Sequence, residues 1–311
     1  MTYPKITIVG AGHVGATAAF SILTKQIADV VLVDVAEGIP QGKALDMMHA
    51  RSVERFGPTV VGTNGYQETA SSDIIVVTAG LPRKPGMSRD DLLAANSRIV
   101  RSVVSSALEY SPEALFLIVT NPLDIMTHLA WTVSGLSTER VLGMGGVLDS
   151  ARFAYAIAAA TSAPITEIEA VAIGAHGDAM VTLPRHSTVE GKRLTEVLSA
   201  EEIDALCERT VCGGAEVVAL LKSGSAYYAP AASIVHMVEA ILGDTGEVLP
   251  SCVYLEGQYG IEDVYMSVPA SLGRTGVIDI PQLDLDDVEI QAVRESAKTI
   301  AESVDSLLER S

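Results

Sequence analysis

Short aliphatic and β-branched runs recur through the first half of the chain without the alternation of a half-exposed strand. Lys5–Val9 (KITIV), residues 30–33 (VVLV), 73–78 (DIIVVT) and 115–120 (LFLIVT) each carry this pattern. It is the signature of strands covered on both faces, as in a parallel sheet flanked by helices. Residues 16–23 and 92–108 read as helices between them, and the alternation predicts a doubly wound α/β domain. Ile6 to Thr24 contains no Asp, Glu, Lys or Arg, which by hydropathy alone would suit a signal peptide or a membrane span. Gly10, Gly12 and Gly15 instead divide it into strand, turn and helix. No second such run occurs, so no membrane association is expected.

The pattern changes after about Val147. Residues 149–160 form an alanine-rich helical stretch, and 168–173 read as a strand leading into Gly-Ala-His-Gly-Asp at 174–178. Ser199 and Glu202 have the spacing of a capping box ahead of a long helix with Ile203, Leu206 and Val211 on one face. Val293, Ala297, Ile300, Val304 and Leu307 recur at helical spacing after Asp286 and Asp287, predicting an amphipathic C-terminal helix. The expected organisation is a Rossmann doubly wound parallel sheet over 1–145 and an α+β substrate-binding and catalytic domain over 146–311. No flexible linker separates them, so a tight interface is expected.

Composition narrows the function classes. With 39 acidic against 21 basic residues the formal charge is −18, the wrong sign for a nucleic-acid surface. Basic residues that handle an anion must therefore be concentrated locally. Arginine outnumbers lysine fourteen to seven; an acidic, lysine-poor surface suits a salty cytoplasm, and a merely acidic enzyme is the equal alternative. Cys207, Cys212 and Cys252 have no metal-ligand or CxxC spacing, so no metal is expected and all three are read as reduced packing residues of a cytoplasmic protein.

Gly10-Ala11-Gly12-His13-Val14-Gly15 matches the G-x-G-x-x-G dinucleotide fingerprint. It follows a buried strand, opens a helix, and is followed at the end of the next strand by Asp34, nineteen residues past Gly15. The helix N-terminus favours the pyrophosphate. A carboxylate at 34 accepts ribose hydroxyls and repels a 2′-phosphate, so NAD is the expected cofactor rather than NADP.

The second half supplies groups for proton transfer. His176 lies between Ala175 and Gly177, where small neighbours leave room for ligands. Asp149 and Arg152 share a helix face three residues apart, within an apolar stretch (Val147, Leu148, Ala151, Phe153, Ala154) expected to be buried, where both charges want specific partners. Residues 78–89 (TAGLPRKPGMSR) follow the third strand. Two prolines, two glycines and an all-positive charge there suit an anion-binding lid at the carboxyl end of a parallel strand.

Five motifs, GAGHVG, TAGLPRKPGMSR, VTNPLD, VLDSAR and GAHGD, occur in the order and approximate spacing of the lactate/malate dehydrogenase family, which the chain resembles from about Lys5 to its last helix. The resemblance implies hydride transfer between NAD and a small 2-hydroxy acid. It implies His176 as proton donor and acceptor with Asp149 as its partner, Arg152 gripping the substrate C1 carboxylate, and Arg89 polarising the carbonyl when the lid closes. It further implies Asn121 contacting cofactor and substrate, Asn96 contacting cofactor, and Val119 and Thr120 lining the nicotinamide side through the backbone.

The family position facing the substrate's C3 substituent is Arg83, where lactate enzymes usually carry glutamine and malate enzymes arginine. A second substrate carboxylate would pair Arg83. A methyl would leave it unpaired, at a cost of roughly 3–5 kcal/mol. Lys84 adjoins it and can share or take over the role. Gly145-Gly146-Val147 and Ser225-Ala226 also resemble the malate branch built like lactate dehydrogenase, whose members are usually homotetramers. The expected reaction is thus reversible NAD-linked interconversion of malate and oxaloacetate. The alternatives are a lactate or broad 2-hydroxy acid dehydrogenase and a non-catalytic NAD-binding sensor; loss of His176 or Asp149 would have marked the last.

Overall fold

The computed structural model describes residues 3–82 and 89–309. In chain order the first half runs β1 (Lys5–Val9), α1 (His13–Thr24), β2 (Asp29–Val33), α2 (Ile39–Glu54), β3 (Val60–Thr63), β4 (Ile74–Val77), α3 (Arg89–Tyr110), β5 (Leu115–Ile118), α4 (Leu123–Ser134) and β6 (Val141–Gly143). These six strands are parallel in the order β3-β2-β1-β4-β5-β6, the doubly wound arrangement expected from the sequence. Every residue of β4 and β5 is buried, which is why neither run alternates. β3 and β6 went unread in the sequence because each is a three- or four-residue strand that includes a glycine.

The second half contains α5 (Gly146–Thr161), β7 (Ile168–Glu169), β8 (Ala172–Gly174), β9 (Met180–Thr182), β10 (Thr188–Val189), β11 (Lys192–Arg193), α6 (Leu194–Val197), α7 (Ala200–Leu221), α8 (Tyr228–Gly243), β12 (Glu247–Glu256), β13 (Glu262–Gly273), β14 (Gly276–Asp279) and α9 (Asp287–Glu309). The sheet does not stop between the halves. β12 pairs antiparallel with β6 through Cys252 and Gly143, and the order continues β12-β13-β8-β9. A rigid platform therefore joins the crevice above β1 and β4 to the segments after β8.

The strand expected over 168–173 is two strands. β7 pairs with β10 in a separate three-stranded sheet, whereas β8 pairs with β9 and β13. Between them the Val171 carbonyl accepts from the Leu183 amide, turning the chain from one sheet to the other. The capping box of α7 is formed in both directions, Glu202 amide to Ser199 hydroxyl and Ser199 amide to Glu202 carboxylate. The five apolar positions named for α9 are all buried. Two readings need correction. Cys212 is exposed rather than packed, and Cys207 is half-buried. Ala151 is exposed because it points off the outer face of α5.

Candidate active site

The turn leaving β1 is shaped by two glycines. Gly10 has φ +112°, and a Cβ there would sit 2.7 Å from the Ala79 amide nitrogen. At Gly15 a Cβ would strike the Gly10 carbonyl oxygen and sit 3.1 Å from Ile8 Cγ2, so α1 packs on β1 only because position 15 has no side chain. Gly12, by contrast, caps α1 with nothing within 4 Å of a Cβ position and is exposed, as is His13. The amino end of α1 is thus open beside the point where the chain reverses between β1 and β4, the place where doubly wound sheets bind ligands. Thr78 closes the floor, its amide donating to the Val9 carbonyl and its hydroxyl to the Gly10 carbonyl.

Asp34 ends β2 against this loop. Its Oδ2 accepts from the Ala11 amide at 2.7 Å and its Oδ1 from the Ala36 amide at 2.9 Å. Lys43, on α2, donates to the Ala11 carbonyl at 2.6 Å. One residue of the fingerprint, Ala11, is therefore pinned through its amide and its carbonyl by opposite charges. The open helix terminus, the glycine cradle and the carboxylate at 34 fit a dinucleotide with a free 2′-hydroxyl. Lys43 was not legible in the sequence; no motif marks it. His13 stacks on Tyr227 with ring centroids 5.0 Å apart, linking the cofactor loop to the segment ahead of α8.

Asn96 is 1% exposed, and its side chain is committed to the protein. Its Oδ1 accepts from the Leu81 amide, and its Nδ2 donates to the carbonyls of Asn121 (2.7 Å) and Leu81 (3.3 Å). It ties the segment after β4 to the segment after β5, so its side chain supports the cofactor wall where the sequence suggested a direct contact. Thr120 acts similarly through its hydroxyl, which donates to Ala79 O at 2.7 Å, and the Val119 amide donates to Val77 O. Asn121 is exposed and precedes a cis peptide bond to Pro122.

Across the crevice, Asp149 projects from the first turn of α5 with its side chain 3% exposed. Its Oδ2 meets His176 Nδ1 at 2.9 Å, and its Oδ1 accepts from Arg152 Nη1 at 3.3 Å. Burial opposes charging of His176, but the charge and hydrogen bond of Asp149, followed by the charge of Asp124, outweigh it and leave the imidazole above its ordinary value. His176, Asp149 and Arg152, 27 residues apart at the extremes in sequence, are thus one cluster. Arg152 packs under α7, where a Cβ at Gly214 would lie 3.3 Å from Nη2 and one at Gly213 3.4 Å from Cδ. Arg89 is the first residue of α3, while Arg83 and Lys84 lie outside the described residues.

A dinucleotide crevice facing a buried histidine–aspartate pair defines an oxidoreductase that couples hydride transfer to proton transfer. The chain belongs to the lactate/malate dehydrogenase family: residues 4–143 match the NAD binding domain and residues 146–310 the alpha/beta C-terminal domain of that family. It is 51% identical over 304 residues to a malate dehydrogenase of Roseiflexus castenholzii, covering 98% of both chains. Among solved structures it is similar to malate dehydrogenase from Salinibacter ruber (42% identity, 98% of each chain, TM-score 0.94). It is also similar to a lactate dehydrogenase from Cryptosporidium parvum complexed with lactic acid and NAD (38% identity, 100% and 99% covered, TM-score 0.96).

Proposed function

We propose that this chain is an NAD-dependent malate dehydrogenase that interconverts malate and oxaloacetate. The observation that carries the chemistry is the 2.9 Å contact of His176 Nδ1 with the buried Asp149 carboxylate, on the substrate side of an open glycine-rich crevice. The naming of malate dehydrogenase in relatives near 50% identity supports the choice of substrate.

The amino end of α1 and Asp34 would hold NADH, which would supply the hydride needed at C2 of oxaloacetate. Asp149 occupies Nδ1 of His176, leaving Nε2 to give its proton to the carbonyl oxygen as negative charge develops there. In the reverse direction neutral His176 takes the hydroxyl proton of malate, and Asp149 stabilises the imidazolium formed. Arg152 grips the C1 carboxylate, Arg83 pairs with the C4 carboxylate, and Arg89 and Asn121 polarise and orient the carbonyl. Arg152 remains anchored by Asp149 while doing so, which fixes the carboxylate relative to the imidazole.

The same reading makes the protein a cytoplasmic homo-oligomer, with a tetramer implied by the family. Val35, Leu45 and Val53, on and before α2, are 97%, 58% and 78% exposed, which supports a covered face there. Among the described residues no helix is long and apolar enough to cross a membrane.

Turnover of the parent and of His176→Asn with oxaloacetate and NADH tests the role of His176. The variant is expected to bind NADH as the parent does and to lose roughly 10²–10⁴-fold in kcat. Full activity in the variant would remove His176 from the chemistry.

A further inference from the structure

Asp124 is the second residue of α4 and is 5% exposed. Its Oδ2 accepts the main-chain amide of His176 at 2.9 Å, across 52 residues of sequence. Its Oδ1 is buried with no nitrogen or oxygen donor on it, and the further donor beside the carboxyl is the weak Cys252 thiol. A buried carboxylate with a spare oxygen is expensive to keep. One backbone amide does not require it, since a neutral carboxamide offers the same acceptor. What a carboxylate adds is charge, and the nearest group that becomes cationic in turnover is the imidazole of His176.

We propose that Asp124 is a positioning residue for His176, fixing its main chain and supplying a second negative charge behind the imidazolium formed during the reaction. Asp149 sets the tautomer from α5 at the ring edge; Asp124 acts from α4 behind the backbone. The titratable groups that face Asp124 are His176 from the loop after β8, Asp149 from α5 and the Cys252 thiol from β12. Burial raises the Asp124 carboxyl to about 6, with His176 holding it down, and burial with the adjacent Asp124 charge pushes the Cys252 thiol well up, so that it stays neutral. At neutral pH the Asp124 carboxyl is therefore mostly charged beside a neutral Cys252 thiol. This inference rests on the proton-transfer role proposed above for His176.

The test is Asp124→Asn, which keeps an acceptor for the His176 amide and removes only the charge. Oxaloacetate reduction needs protonated His176, so its kcat/KM falls on the alkaline side as the imidazole deprotonates. Losing a nearby negative charge lowers that midpoint, and the alkaline limb is expected to move down by roughly one pH unit, with KM for NADH unchanged. The acid limb of malate oxidation, set by neutral His176, should move down with it. Profiles that superimpose on the parent's would overturn the proposal and leave Asp124 a structural acceptor. If the variant does not fold, a proton-decoupled carbon titration of the His176 ring in the unmodified enzyme decides. Two coupled steps, one near pH 6, are expected, and a single step would overturn the proposal. His176→Asn separates the two readings, because activity surviving there sinks the histidine role itself, while a shifted Asp124→Asn profile presupposes it.

Discussion

Asp149 divides its oxygens between His176 and Arg152, so single residues here hold more than one job. Asp124 should make this measurable as stability. Its carboxyl is raised from 3.8 to about 6 by burial, so the native state binds more protons than the unfolded chain between those values. Stability therefore rises as pH falls through that window and is lower above it, and the buried charge costs on the order of a few kcal/mol at pH 8. Asp124→Asn is expected to raise Tm at pH 8 and to change it little below pH 4; a drop at pH 8 would show that the charge is compensated. His176 gives the same direction of pH dependence by the opposite cause, since there the charged form is the favoured one. Its raised value contributes stability that is present below about 6.5 and lost as pH rises through the folded value. Asp34, pinned by two amides, should govern cofactor choice: Asp34→Ser is expected to shift the NADH to NADPH ratio of kcat/KM by roughly tenfold or more toward NADPH, and an unchanged ratio would move the discrimination elsewhere. His176, Asp149 and the glycines were legible because their chemistry needs those residue types at ordered spacing. Asp124 sat inside a quoted motif without a role. It is one acidic residue in an apolar helix start, and only the fold brings it behind position 176. Lys43 was hidden for the same reason.

At the scale of elements, the strands buried on both faces were readable from their continuous apolar runs. The antiparallel β12 and β13, which carry the sheet into the second half, were not read, because polar residues interrupt their apolar positions (Ser251, Ser267 and Ser271). Nor could the sequence show that 168–173 would divide between two sheets, since that depends on which partner strand each end meets. α7 shows an element bent to a site's needs. Gly213 and Gly214 lie mid-helix, where each costs about 1 kcal/mol relative to alanine, and they lie against Arg152. Gly214→Ala is expected to gain helix stability, and to raise KM for oxaloacetate several-fold by displacing the guanidinium. A stabilised variant with unchanged KM would show that Arg152 has room to give. Asn96 is the corresponding tie between the β4 and β5 loops. Asn96→Ala leaves the Leu81 amide without its acceptor and should cost about 1–3 kcal/mol, with a raised KM for NADH.

The whole molecule carries a net charge of −18 around a site that must attract a dicarboxylate. Salt that screens self-repulsion should raise Tm by a few degrees between low salt and about 1 M KCl, where the Debye length is roughly 3 Å. It should also raise KM for oxaloacetate by weakening the local arginines; flat curves for both would reduce the acidic surface to a solubility feature. The continuous sheet ties these effects together, since the β6–β12 pairing joins the strands that carry the glycine-rich turn to β13 and β8, the latter leading into His176. The most direct measurement is the loss of NADH absorbance with purified protein, run in parallel with oxaloacetate and with pyruvate. Fast oxidation with oxaloacetate and little with pyruvate is expected, because Arg83 needs the second carboxylate. Equal or faster oxidation with pyruvate would keep the enzyme class and contradict the malate assignment, and no oxidation with either despite NADH binding would contradict catalysis itself.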